Sequence, residues 1–398
     1  MALQEINDVI SRHREAGEIT GGIVLVAHKG GIVYLEAQGT ADQEPKTPLS
    51  TETIFWMASM TKPYVAAATM LLLEENHLRL DDPVARYIPE FSKPRRVRKL
   101  RPGSPPIPPF HGGPPTPDAS RPEYDYEPAR RDLTVRDFLT FTSGLQTIGV
   151  PNEDIPPVSP DDTLATWTAR LGDAPLEFQP GTQWHYSNAT GYEVLARIVE
   201  VVSGQTFAAF LRERIFDPLG MKEASFGIRE DLSSRILPLE PMLHAPFMRG
   251  YLRGTFHSGS AGLFMTAQDY WRFAQMLLNG GELNGIRILK EESVREMTRN
   301  QIGALPFAGV RAIEYGANDG RAHPGLGYGY GVAVITDGKA ADMTLPTGSY
   351  GWDGIGTRRF WNIPSLQAVL IMLMPGLGPV ADATHRDIEH VVGQALNC

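Results

Sequence analysis

Thr53-Ile-Phe-Trp-Met-Ala-Ser-Met-Thr-Lys-Pro-Tyr-Val-Ala-Ala-Ala-Thr-Met-Leu-Leu-Leu-Glu-Glu75 is the stretch around which the rest of the chain is organised. From Met57 onward it is apolar nearly all round, with Ala66, Ala67, Ala68, Met70, Leu71 and Leu72 in close succession. A helix apolar on every face belongs inside a protein. Ser59 and Lys62 are the polar exceptions at its start, where burial is costly unless the groups are paired. Positions i and i+3 share a helix face, so the hydroxyl and the amine are predicted to meet. Pro63 is tolerated only in the first turn, which places Ser59 at the helix N-terminus. There, unsatisfied N–H groups and the helix dipole favour developing negative charge. A hydroxyl beside a desolvated amine at that place has the makings of an activated nucleophile. By itself the spacing is weak, because a chain this long carries about one Ser-x-x-Lys by chance. Taken by itself, a buried, hydrogen-bonded serine with a snorkelling lysine accounts for it better than catalysis does.

The bounds are those of an ordinary globular protein. The 398 residues suggest two domains or one two-lobed unit, and 42% hydrophobic with 21% charged residues is a usual balance. A net charge of −9 argues against nucleic acid as the main partner. The single cysteine, Cys398, excludes an internal disulfide and fits a reducing compartment. The N-terminal segment spaces Leu3, Ile6, Val9 and Ile10 as an amphipathic helix and lacks the layout of a signal peptide. No run approaches the roughly 18 apolar residues of a membrane span. A cytoplasmic protein that does not bind membranes is expected; a homodimer is left open.

Outward from the central stretch, Gly21–His28 and Ile32–Gln38 are β-rich runs joined at Lys29-Gly30-Gly31, a hairpin signal. Between Lys93 and Pro128 the composition changes abruptly. Eleven of the 32 prolines lie there, beside a basic run of Lys93, Arg95, Arg96, Arg98, Lys99 and Arg101. An extended loop or partly disordered insertion with a solvated basic face is expected, or a loop folded over a pocket or a neighbouring subunit. Helices follow from Leu133 (Thr134 as N-cap, Gly144 as C-cap), over Asp161–Leu171, over Thr190–Val202 and over Phe207–Phe216. Gln268–Leu278 and Glu291–Asn300 are further helices, Gly327–Ile335 and Gln367–Met374 are strands, and Asp382–Leu396 closes the chain as a helix. Strands at both ends around a helical middle predict an α/β (α+β) fold. Its α/β domain is discontinuous, over 1–90 and 255–398, and a mainly helical domain over 91–254 is inserted in it.

Two further segments carry chemistry. Tyr186-Ser-Asn188 lies just before a helix. An ammonium beside Tyr186 favours phenolate, which could take the Ser59 proton, while Asn188 could hold the amine or the substrate. An aromatic loop with Asn188 as an N-cap is the competing account. Tyr350-Gly-Trp352-Asp-Gly354-Ile355-Gly356 could present backbone N–H groups to an acyl oxyanion, or could be a glycine-rich turn with an aromatic anchor.

In this order, Ser59-Met-Thr-Lys62, Tyr186-Ser-Asn188 and Trp352-Asp-Gly354 resemble the signature of the serine β-lactamase and penicillin-binding-protein superfamily. Leu133–Leu145 and Ser258–Ala267 are similar to that family's flanking segments, so the resemblance spans nearly the whole chain. It implies a β-lactamase-like fold, with an antiparallel sheet flanked by helices. Antibiotic-hydrolysing members carry Lys or His where Trp352 stands; Trp-x-Gly looks like the family VIII carboxylesterases. Losing a cation and gaining an indole favours neutral or aromatic esters as the small-molecule substrate. Arg358 and Arg359 could restore an anion site but are expected first as exposed strand charges. The resemblance implies Ser59 as nucleophile and Lys62 with Tyr186 as general base and acid. It implies an oxyanion hole from the N–H groups of Ser59 and Ile355, substrate contacts from Asn188, Trp352 and Gly354, and no metal or cofactor. β-Lactamase or D-amino-acid peptidase activity, acyl transfer to an alcohol, and a non-turnover acyl-binding sensor are the alternatives. The absence of Gly-x-Ser-x-Gly disfavours an α/β-hydrolase. The scattered histidines disfavour a zinc site, with only His385 and His390 close together, on what looks like a surface helix.

Overall fold

The computed structural model describes residues 2–42, 47–104, 123–145, 158–187, 190–237, 249–307, 323–355, 357–376 and 381–396. A seven-stranded antiparallel sheet is its backbone, built from both ends of the described chain. In chain order its strands are β1 (Gly21–His28), β2 (Gly31–Gly39), β3 (Leu326–Tyr328), β4 (Ala333–Ile335), β5 (Tyr350–Gly354), β6 (Arg358–Ile363) and β7 (Ala368–Leu373). Across the sheet they run β3-β4-β5-β6-β7-β1-β2. Lys29 (φ 52°) and Gly30 (φ 84°) make the tight β1–β2 turn, where a left-handed backbone matches the twist of the paired strands.

Both faces of the sheet are covered, and strand alternation shows how. Val24 and Val26 of β1, with Leu370 and Met372 of β7, pack with Ile6, Val9 and Ile10 of helix α1 (Glu5–Glu15). Ile388 and Val392 of the C-terminal helix Ala381–Leu396 join the same cluster. Ile23, Leu25 and Ala27, with Val369, Ile371 and Leu373, point the other way into the main core. Successive side chains on a strand face opposite sides, so a strand covered on both faces is apolar throughout. Truncating such a residue, Leu370→Ala for instance, costs about 2–5 kcal/mol.

On that second side lies helix α2 (Lys62–Glu74), buried from Lys62 through Leu72, with Ala67 and Ala68 fully enclosed. A single 3₁₀ turn, Ala58–Thr61, leads into it, and Pro63 sits in its first turn as the sequence predicts. Helix α3 (Gly191–Ser203) packs beside α2 and ends at Gly204 in the left-handed conformation. A small sheet of Phe55–Trp56, Leu263–Met265 and Ser225–Phe226 ties the segment before Ser59 to that after Gly262.

Several expectations are corrected. Gly327–Ile335 is a hairpin, β3 and β4, turning at Gly331 (φ 82°). The helix after Thr134 stops at Leu139, and Gly144 instead approaches the Phe178 carbonyl, where a Cβ would come within 2.5 Å. Arg96–Leu100 pairs with Tyr124–Pro128 in a two-stranded ribbon apart from the main sheet, so the ends of the proline-rich segment are ordered strands. Its charges are not uniformly solvated. Arg95 and Arg98 are buried, and Arg95 Nη1 donates to the carbonyls of Leu171 and Ala174 at 2.9 and 2.7 Å. His385 is enclosed between the C-terminal helix and the sheet, and burial lowers its proton affinity. Among the described residues no single helix is long and apolar enough to cross a membrane.

Candidate active site

Ser59 lies on the 3₁₀ turn that precedes α2, and Lys62 is the first residue of that helix. The turn brings Lys62 Nζ to 3.1 Å from Ser59 Oγ. Tyr186 arrives from a loop far along the chain, its hydroxyl donating to Ser59 Oγ at 2.6 Å. The three groups that the sequence singles out as the reacting set therefore converge on one oxygen. Ser59 keeps 8% of its surface exposed, while Lys62 has none. Lys62 Nζ also donates to the Ser260 carbonyl at 3.0 Å and stands 5.0 Å from the centre of the Tyr186 ring.

Burial dominates the electrostatics. Desolvation lowers the Lys62 pKa to about 7, against the opposing pull of the buried Glu193 carboxylate. Burial pushes the Tyr186 phenol well above its ordinary value; the Ser59 hydrogen bond and the Trp352 indole oppose the shift only in part. Among the described residues no hydrogen bond of ordinary geometry forms from Trp352 Nε1. The phenolate expected from the sequence is thus reversed. An amine brought by burial to about 7 offers a phenolate little stabilisation, so the phenol keeps its proton and donates it to Ser59.

The third segment is strand β5, which packs against the Ser59 turn. Gly354 makes that approach feasible, since a Cβ there would lie 2.5 Å from the Met57 carbonyl oxygen. Ile355 follows it, its carbonyl held by Arg358 Nη1 at 2.9 Å. Trp352 has no exposed surface. Its ring lies 5.5 Å from that of Tyr186 and 5.2 Å from that of Tyr328, so it backs Tyr186 instead of lining open space. Phe141, in the left-handed region at φ 56°, sits among Tyr186, Tyr192, Tyr328 and Trp352. Asn188 lies outside the described residues.

Arg358 and Arg359 are buried, contrary to their expected exposure on a strand. The Arg358 guanidinium stands over Phe55, 5.6 Å from the ring centre. Arg359 donates to both oxygens of Asp353 at 2.9 and 3.0 Å, to Asp382 at 3.2 Å and to Glu389 at 3.2 Å. Sequence reasoning missed Glu193 as well. It is fully buried on α3 and accepts from the Ser258 hydroxyl and from Gly259 N at 2.6 Å. The available signal was a carboxylate among Tyr192, Val194, Leu195 and Ala196, where burial demands a partner. Among the described residues no group of His, Cys, Asp and Glu is disposed to hold a metal ion.

A hydroxyl between a buried amine whose pKa is lowered to about 7 and a phenol, at the start of an enclosed helix, is the arrangement of a serine hydrolase. Comparison with known proteins supplies the family: a profile described as Beta-lactamase matches residues 6–394, and the chain belongs to that family. It is 30% identical to "Esterase EstB" of Burkholderia gladioli, over 85% of this chain and 81% of that protein. It is 29% identical to "Protein Rv1367c" of Mycobacterium tuberculosis, over 90% and 86%. Among solved structures it superposes on "EstCE1, a hydrolase with promiscuous acyltransferase activity" with a TM-score of 0.74, at 22% identity and 98% coverage of both chains.

Proposed function

We propose that the protein is a serine carboxylesterase that hydrolyses small neutral or aromatic esters through an acyl-enzyme on Ser59. The observation that carries this reading is the double contact on Ser59 Oγ, from Tyr186 at 2.6 Å and Lys62 at 3.1 Å. Near pH 7 a substantial share of Lys62 is neutral and accepts the Ser59 proton as Oγ attacks the ester carbonyl. The N–H groups of Ser59 and Ile355 hold the resulting oxyanion. Tyr186 gives its proton to the departing alcohol oxygen and regains one from Lys62. Water then attacks the acyl carbonyl, the same two groups passing its proton to Ser59, and the carboxylic acid leaves. Neither Trp352 nor Gly354 serves as a side-chain donor to substrate in this scheme; the first braces Tyr186 and the second admits the Ser59 turn.

Neutral substrates are favoured by what the cations do. Trp352 stands where a cation would bind a carboxylate, and Arg358 and Arg359 are engaged within the protein. The similarity to a protein named as an esterase supports the same branch. The test sets p-nitrophenyl acetate and butyrate beside a chromogenic cephalosporin, with wild type and Ser59→Ala. Sustained release from the esters, dependent on Ser59, and slow or no cephalosporin turnover are expected. Rapid cephalosporin turnover without ester hydrolysis overturns the esterase branch, and a single stoichiometric burst replaces it with an acyl-binding sensor. A new ester formed from an added alcohol would mark acyl transfer.

A further inference from the structure

Glu193 takes no part in the scheme above, yet it is a carboxylate with no exposed surface. It sits in the first turn of α3, its oxygens aimed at the turn Ser258-Gly259-Ser260. Oε1 accepts from the Ser258 hydroxyl and from Ser260 N at 3.4 Å, and Oε2 accepts from Gly259 N at 2.6 Å. The carbonyl of that same Ser260 accepts from Lys62 Nζ. One residue thus faces the carboxylate with its N–H and the amine with its C=O. Gly259 leaves the turn no slack, because a Cβ there would lie 2.4 Å from the Tyr192 carbonyl oxygen and 2.7 Å from the Ala196 Cβ.

We propose that Glu193 is a positioning residue for Lys62: it holds the 258–260 turn that orients the amine toward Ser59, and its charge raises the pH at which the amine becomes a base. The proposal rests on the reading of Ser59 and Lys62 given above. Among the described residues the other ionisable groups facing the pair are phenols. Tyr186 and Tyr192 present their rings to Lys62 at 5.0 and 5.9 Å, and Tyr251 lies close enough to Glu193 for the carboxylate to disfavour its ionisation. Burial keeps all three protonated. His257, beside the turn, packs on Phe226, and the acidic group it senses is Glu200. Glu193 is therefore the carboxylate that acts on Lys62: burial raises its own pKa to about 7, while it favours the charged form of the amine.

The pH dependence of kcat/KM for p-nitrophenyl acetate distinguishes positioning from simple support of the fold. In Glu193→Gln the amine loses the charge that favours its protonation, so the acid limb is expected to move about one pH unit lower. The plateau falls as the turn loosens. Glu193→Asp, which keeps the charge, is expected to hold the limb near its wild-type place. A lower plateau with an unmoved limb in Glu193→Gln overturns the proposal. Should that variant not fold, Ser258→Ala removes a donor that favours the Glu193 anion and moves the limb the same way by less; an unmoved limb again overturns it. If neither variant is soluble the wild type decides, because two coupled groups spread the limb beyond a one-proton curve and a one-proton limb refutes the coupling. Mass spectrometry after fluorophosphonate labelling of wild type separates the layers. No adduct on Ser59 removes the esterase reading, whereas an adduct with the limb unmoved removes only the role of Glu193.

Discussion

Lys62 and Arg359 are both cations enclosed by protein, on strands and helices that meet at β5, and they have opposite fates. Lys62 faces a hydroxyl and a carbonyl directly, with a carboxylate acting across the Ser260 backbone. Desolvation outweighs that support, and the amine can shed its proton near neutrality. Arg359 touches three carboxylates and cannot deprotonate in a protein, so its charge stays and binds Asp353 of β5 to Asp382 and Glu389 of the C-terminal helix. A buried cation becomes reactive where opposite charge is scarce and becomes structural where it is plentiful. β5 carries the consequences of both, with Gly354 against the Ser59 turn and Asp353 in the clamp behind it.

The sharpest way to break this contrast is Ser59→Ala. It is expected to lower ester hydrolysis by at least about 10³-fold and abolish fluorophosphonate labelling, with the melting temperature little changed. Tyr186→Phe removes only a hydroxyl and is expected to cost about 10²-fold or more in kcat, measured under saturating ester. Arg359→Met probes the other side. It takes the cation from buried Asp353 and Glu389, Asp382 keeping Arg386 at 3.3 Å, and is expected to destabilise the fold by about 3–5 kcal/mol at pH 8 in denaturant titrations. Asp353 and Glu389, already raised by burial and held down in part by Arg359, are disfavoured as anions once it is gone, so their folded pKa values rise further. The folded variant then takes up protons more readily than the unfolded chain, and its deficit narrows as pH falls toward 5. The mildest effect is that of pH on wild type. Protonation of Lys62 below about 7 removes the base, so kcat/KM is expected to fall there, less steeply than tenfold per pH unit while Glu193 titrates beside it. A rate independent of pH between 5 and 8 would remove Lys62 from that role.

The pairing of Ser59 with Lys62 was legible because helix geometry alone brings i and i+3 together, and Pro63 fixes where the helix starts. The central strand β7 was legible from an apolar run with no polar face. Gly327–Ile335 was not, because a turn at Gly331 depends on β4 finding β5 as a partner. Arg358 and Arg359 looked exposed because two adjacent arginines usually are. On a strand they point to opposite faces, and only the order of the sheet, with helices on both sides, reveals that both are covered. Glu193 escaped notice for the same reason: its partners lie 65 to 67 residues away. Local periodicity reports which side of an element is apolar, and it is silent about what a buried charge will meet.

Gly354 leaves an engineering constraint behind it. With the Met57 carbonyl oxygen 2.5 Å from where a Cβ would stand, hydrogen is the only substituent the position admits without moving the nucleophile's own loop. A saturation library aimed at new acyl preferences should therefore hold 354 invariant and spend its diversity elsewhere, since every survivor there will encode glycine whatever ester is used for selection.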